Sequence, residues 1–164
     1  MCDSRFHSEK CCPFPGCLGV MCIMRNRKVV KPKVINTGQV ILTAGKQRQP
    51  EPHEISAAWI LAHHYHATVQ FLVPVDDYMR KTADIILLGV EWEMKSPVGS
   101  SKSTIENQFR RASKQSRNII IDTRRTTLED AEIEKAVARE AKRHSTVKRV
   151  IIVYKSEKVV EMPL

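Results

Sequence analysis

Asp84, Glu93 and Lys95 fall within one twelve-residue stretch, DIILLGVEWEMK, at residues 84–95. The spacing predicts a hairpin, with strands at 84–88 and 90–95 around Leu88-Gly89. If those two residues form the turn, Leu87 pairs with Val90 and Asp84 falls opposite Glu93. Side chains of one parity share a face of a strand, so Lys95 joins them. Like charges directly opposed destabilise a sheet, and a divalent cation between them reverses that penalty. Mg²⁺ suits such a site, because it is commonly held by one or two carboxylates together with substrate phosphate. Mn²⁺ or Zn²⁺ are alternatives. A lysine beside the cation can orient water or steady developing charge. The chemistry this toolkit fits is phosphodiester hydrolysis. Glu91 has the same parity, so a solvated charged face is the competing explanation of the E-x-E-x-K pattern.

The elements that must position the hairpin read as alternating helix and strand. Pro52 to Glu54 suits a helix start, since proline is favoured in the first turn. The stripe Ile55, Ala58, Trp59, Ala62 and Tyr65 has helical spacing, and the helix should end near His66. A strand follows at 68–73. After the hairpin come a helix at about 103–117, a strand at 118–122, a helix at about 127–143 and a strand at about 147–154. Thr126 with Glu129 has the spacing of a capping box. The core order is α-β-β-β-α-β, then α-β. The fold class is α/β, one mixed sheet with helices packed on it. Upstream, VVKPKVIN and QVILT read as a basic hairpin arm around Thr37-Gly38, with a polar linker to residue 50.

Charge points to the partner. The chain has 164 residues and a formal net charge of +9. Residues 24–50 hold Arg25, Arg27, Lys28, Lys31, Lys33, Lys46 and Arg48 and no acid. Residues 101–117 hold Lys102, Arg110, Arg111, Lys114 and Arg117 against Glu106 alone. Concentrated cations of this kind favour a nucleic acid, because neutralising phosphates releases counterions. No apolar run reaches the roughly 18 residues that span a bilayer. All five cysteines, Cys2, Cys11, Cys12, Cys17 and Cys22, lie before residue 23. That excludes a disulfide framework spread through the fold and suits a reducing cytoplasm. Their spacing lacks paired C-x2-C knuckles, which argues against a zinc site there. Residues 1–23 read as a leader, disordered or untranslated, with Met24 as the start. Residues 24–50 form the arm, and 51–164 the α/β domain.

The element order and the run Ala83-Asp84, eight residues, Glu93-Met94-Lys95 resemble the PD-(D/E)XK nuclease superfamily, with Ala83 in place of its proline. A more specific resemblance covers about residues 51–123. It includes HEISAAWILA, the run EWEMKSP with Gly99, and the helix pattern I-x-x-Q-x-x-x-A-x-x-Q-S. This looks like the C-terminal tRNA nuclease domain of CdiA-type contact-dependent growth inhibition toxins. The resemblance implies a toxin-like, metal-dependent endoribonuclease that cuts tRNA in a cytoplasm, delivered or secreted as part of a toxin system and covered by an acidic immunity protein.

The superfamily often takes an acidic residue from its first core helix, which here implies Glu54 as a third metal ligand and catalytic group, with Glu51 as its rival. Otherwise Glu54 is a favourable charge in a first turn. The helix after the motif implies Gln108 and Lys114 as substrate-facing groups, with Lys102, Arg110 and Arg111 on phosphates. His63, His64 and His66 lack an i, i+4 metal pair among them. Trp59 and Trp92 read as packing residues. Ser96 and Ser101 have no evident base to activate them. Two alternatives to a tRNA nuclease remain: a DNA endonuclease of the same superfamily, and a non-catalytic basic nucleic-acid-binding module.

Overall fold

The computed structural model describes residues 37–43, 49–73 and 82–164, leaving out the Lys102 side chain. The chain divides into units 1–33 and 34–164, and only the second contains described residues. The leader and most of the basic arm lie outside them.

Seven strands and three helices are present among the described residues: β1 (Gln39–Ile41), α1 (Pro52–Tyr65), β2 (Thr68–Phe71), β3 (Ile85–Leu87), β4 (Val90–Lys95), α2 (Lys102–Ala112), β5 (Asn118–Asp122), α3 (Asp130–Arg143), β6 (Arg149–Val153) and β7 (Val159–Met162). The strands form one mixed sheet in sequence order. β1 runs parallel to β2, β2 to β4 form an antiparallel meander, β4 to β6 are parallel, and β7 returns antiparallel. From α1 to β5 the order is the expected α-β-β-β-α-β.

Alternation along the strands splits the core in two. Val69, Phe71, Ile85, Leu87, Trp92, Met94, Ile120 and Ile151 face α1, which buries Ala57, Ala58, Leu61 and Ala62 against them. Ile119, Ile121, Val150 and Ile152 point the other way, towards Ile105 and Phe109 of α2 and Ile133 and Val137 of α3. Helices therefore cover both faces, and β5 and β6 are apolar on both sides, as such a sheet requires.

Four sequence expectations change. The segment 39–41 pairs in parallel with β2, at the edge of the sheet; its expected hairpin partner lies outside the described residues. Trp59 is 43% exposed, because the buried stripe of α1 runs through 57, 58, 61 and 62. α2 stops at Ala112, five residues short of expectation, with Ser113 as its C-cap. Thr126 does not cap α3: its hydroxyl donates to the Gly99 carbonyl and accepts the Leu128 N–H, and Glu129 is the N-cap. β7 had no sequence expectation.

Candidate active site

The hairpin forms with the expected turn. Leu87 pairs with Val90, Ile86 with Glu91 and Ile85 with Trp92. Leu88 and Gly89 both take positive φ, 53° and 73°, as a tight two-residue hairpin turn requires. Glycine does so freely, whereas Leu88 is held there by the strands on either side.

One step beyond Ile85 the ladder changes. The Asp84 N–H bonds to the Trp92 carbonyl at 3.0 Å, although register alone sets Asp84 opposite Glu93. The Asp84 carboxylate then accepts the Met94 N–H at 2.8 Å, a bond that a strand carbonyl would take in a regular ladder. Asp84 is thereby tied to the backbone of the strand that carries Glu93 and Lys95.

Glu93 is 1% exposed. Its Oε1 accepts from Gln115 Nε2 at 2.8 Å and pairs with the Lys95 ammonium. Its Oε2 is buried and has no hydrogen-bond partner among the described residues. Burial, then the nearby Asp84 charge, push the Glu93 carboxyl up to about 7, although the Lys95 ammonium pulls it down. Asp84 is also close enough to share a proton with Glu93, which raises Glu93 further; when both are ionised neither can donate, and Oε2 stays without a partner. Lys95 keeps 21% of its side chain exposed and so reaches the surface from this buried pair.

The structure thus brings Asp84, Glu93 and Lys95 together on the α2 side of the sheet. Glu54 does not join them. α1 packs on the opposite face, and the Glu54 carboxylate accepts the Glu51 N–H at 2.8 Å in a capping box. Among the described residues no third carboxylate, imidazole or thiolate completes a metal-binding group with the pair. That departs from the three-ligand expectation. His63, His64 and His66 form no such group either.

Two carboxylates, one buried oxygen without a partner and mutual repulsion fit a small, hard divalent cation. With no nitrogen or sulfur donor in the pair, Mg²⁺ or Mn²⁺ suits it better than Zn²⁺.

The residue that reaches Glu93 is Gln115, in the turn that follows α2. Gln115 is the second glutamine of the I-x-x-Q-x-x-x-A-x-x-Q-S pattern, of which Gln108 is the first. Arg110 and Arg111 are exposed in the last turn of α2, and Lys114 is exposed in the turn that follows it. Arg110 also donates to Asn107 at 3.0 Å. The Lys102 side chain lies outside the described ones.

A second cluster flanks β4. Asp122, at the end of β5, is fully buried. It accepts the Ser96 hydroxyl at 3.2 Å and the Arg124 Nε at 2.8 Å. Arg124 reaches across to α1, where it donates to Ser56 Oγ at 2.8 Å and to the His53 carbonyl at 3.2 Å. Its guanidinium pKa is raised by the Asp122 hydrogen bond. Sequence reasoning gave Asp122 and Arg124 no role, because Arg124 meets Ser56 and His53 across about seventy positions. Removing one partner of a buried pair strands the other, so Arg124→Ala is expected to cost ~3 kcal/mol in urea unfolding. Arg124→Lys should restore only part of that, since lysine lacks the fork. If Arg124→Ala unfolds at the wild-type urea concentration, the cluster does not hold α1 to the sheet.

Residues 81–159, just under half of the chain, match the family described as the contact-dependent growth inhibition CdiA C-terminal domain. The match runs from just before Asp84 to the start of β7. A solved structure, the "CdiA-CT/CdiI toxin and immunity complex from Burkholderia pseudomallei", contains a chain of the same fold. The two superpose with a TM-score of 0.55 at 17% identity, over 76% of this chain and 98% of that one. No curated protein matches the sequence.

Proposed function

We propose that this chain is a metal-dependent endoribonuclease that cuts tRNA, and that it acts as a toxin of the CdiA C-terminal type. The observation that carries the chemistry is Glu93 Oε2, buried without a hydrogen-bond partner beside a second carboxylate. A protein does not leave such a group ionised without compensation. The family match over residues 81–159 supports the toxin role, and the exposed cations of α2 support a polyanionic substrate.

Asp84 and Glu93 would hold the cation, which supplies charge stabilisation at phosphate and acidifies water. The protein's own part is positional. Gln115 fixes one oxygen of Glu93, so the other keeps its place. The Met94 N–H does the same for Asp84. Lys95 presents a donor at the edge of the buried pair, where charge on a phosphate oxygen would develop. Arg110, Arg111 and Lys114 draw the substrate backbone across this face. Glu54 serves the helix start.

Among the described residues no helix is long and apolar enough to cross a membrane. We place the site of action in a target cytoplasm, where tRNA is available, and expect an acidic immunity protein to cover the basic face around Lys95.

Purified total tRNA incubated with Mg²⁺ or Mn²⁺ should be cut into discrete fragments, and EDTA should stop the reaction. Expression in a bacterial cytoplasm should arrest growth. Plasmid nicking with intact tRNA would replace this reading with a DNA endonuclease. Binding that persists in EDTA without cleavage of either would replace it with a non-catalytic module.

A further inference from the structure

A cleft of about 590 Å³ opens on the outer side of α1, lined by Ser56, Trp59, Ile60, His63, His64 and Glu157. Its contents are unusual for a surface. Trp59 is 43% exposed, and its ring stacks on His63 with centroids 5.7 Å apart. Solvated tryptophan costs hydrophobic free energy that burial against the sheet would have recovered. Glu157 comes from the turn between β6 and β7 and holds a φ of 62°, a conformation that a side chain other than glycine or asparagine rarely adopts. The hairpin turn imposes this conformation: the Glu157 N–H bonds to the Tyr154 carbonyl and the Tyr154 N–H to the Lys158 carbonyl, both at 2.9 Å, which fixes where Glu157 stands beside the cleft. An exposed aromatic stack and a carboxylate placed by a hairpin turn therefore meet in one cleft.

We propose that this cleft is a nucleobase subsite that takes one unpaired base of the substrate, guanine in preference to the others. This rests on the reading that the chain acts on RNA. An exposed ring pair is the surface on which an unstacked base gains most, since every base presents a π-face. A carboxylate only accepts hydrogen bonds, so it selects an edge made of donors. Guanine presents two adjacent donors on its Watson–Crick edge, N1–H and the 2-amino group, and a carboxylate matches both. A phosphate would meet the Glu157 carboxylate there, with the Arg124 guanidinium close enough for Glu157 to raise its pKa. The cleft also connects with the catalytic strand: Ser56 in its wall is bonded to Arg124, Arg124 to Asp122, and Asp122 to Ser96, the residue after Lys95.

The test uses the full chain in EDTA and reads tryptophan fluorescence. Trp92 is buried in the core and supplies a constant background. Guanosine monophosphate should quench the Trp59 emission, adenosine, cytidine and uridine monophosphates less, and inorganic phosphate not at all. Trp59→Leu should abolish the quench with an unchanged circular dichroism spectrum. Glu157→Gln should weaken guanosine monophosphate ~10-fold and reduce its advantage over the other nucleotides. No quench by any nucleotide overturns the proposal, as would be expected if a partner protein fills the cleft. Equal quench by phosphate, or unchanged guanine preference in Glu157→Gln, also overturns it. Cleavage of tRNA is assayed separately. Cleavage without nucleotide quenching removes the subsite and leaves the nuclease. Guanine-selective quenching without cleavage does the reverse.

Discussion

Lys95→Ala is expected to lower the rate of tRNA cleavage by ~10³-fold, within the range for loss of a positioned proton donor or acceptor. On the proposed reading the loss falls on kcat more than on KM, because Lys95 sits at the buried pair and the exposed cations at the end of α2 would draw in the substrate backbone. The fold should survive. Without its ammonium, Glu93 keeps Gln115 and takes up a proton more readily, since the Lys95 charge is what pulls its pKa down. Metal affinity should therefore weaken alongside catalysis, which titration of Mn²⁺ against the folded variant would show. Activity within about threefold of wild type would remove Lys95 from the mechanism. Asp84 needs a gentler substitution. Asp84→Ala strands the Met94 N–H, whereas Asp84→Asn keeps an acceptor for it and tests the charge alone.

Glu93→Gln is expected to abolish cleavage and yet to stabilise the metal-free protein above neutral pH. In the folded chain the Glu93 carboxyl titrates at about 7, above its ordinary 4.5. The folded state thus holds this proton more tightly than the unfolded state. The resulting stability is fully present below about pH 4.5 and is lost as pH rises through about 7. Above that, the fold carries a buried carboxylate crowded by Asp84. The neutral amide removes that burden, by on the order of 2 kcal/mol. Urea unfolding in EDTA at pH 5 and pH 8 reads the effect as the difference between wild type and variant. Mg²⁺ or Mn²⁺ should restore the wild type at pH 8 and do much less for the variant. A variant less stable than wild type at pH 8 in EDTA would mean that Glu93 is satisfied in the metal-free fold, and the cation site would lose its physical basis.

The parts legible from sequence are those set over short distances. A two-residue turn at Leu88-Gly89 has one sensible register, and that register sets Asp84 opposite Glu93 and Lys95 beside it. Alternation and helical spacing likewise give α-β-β-β-α-β, because each element must bury a periodic face. Packing decided the rest. Glu54 had the right chemistry at the right place in the order, but α1 covers the sheet face away from the carboxylate pair. Gln108 and Gln115 stand in one pattern, and only the early end of α2 at Ala112 shows which of them meets Glu93. Trp59 fitted an apolar stripe that turned out to be rotated by about one residue, and this left its ring in solvent. The clamp from Asp122 through Arg124 to Ser56 joins segments far apart in the chain. Sequence alone determined that two carboxylates and a lysine would share one face, since strand geometry permits little else. Only the tertiary structure decided that Glu93 would be buried with one oxygen unpartnered, because burial depends on what α2 lays over the strand.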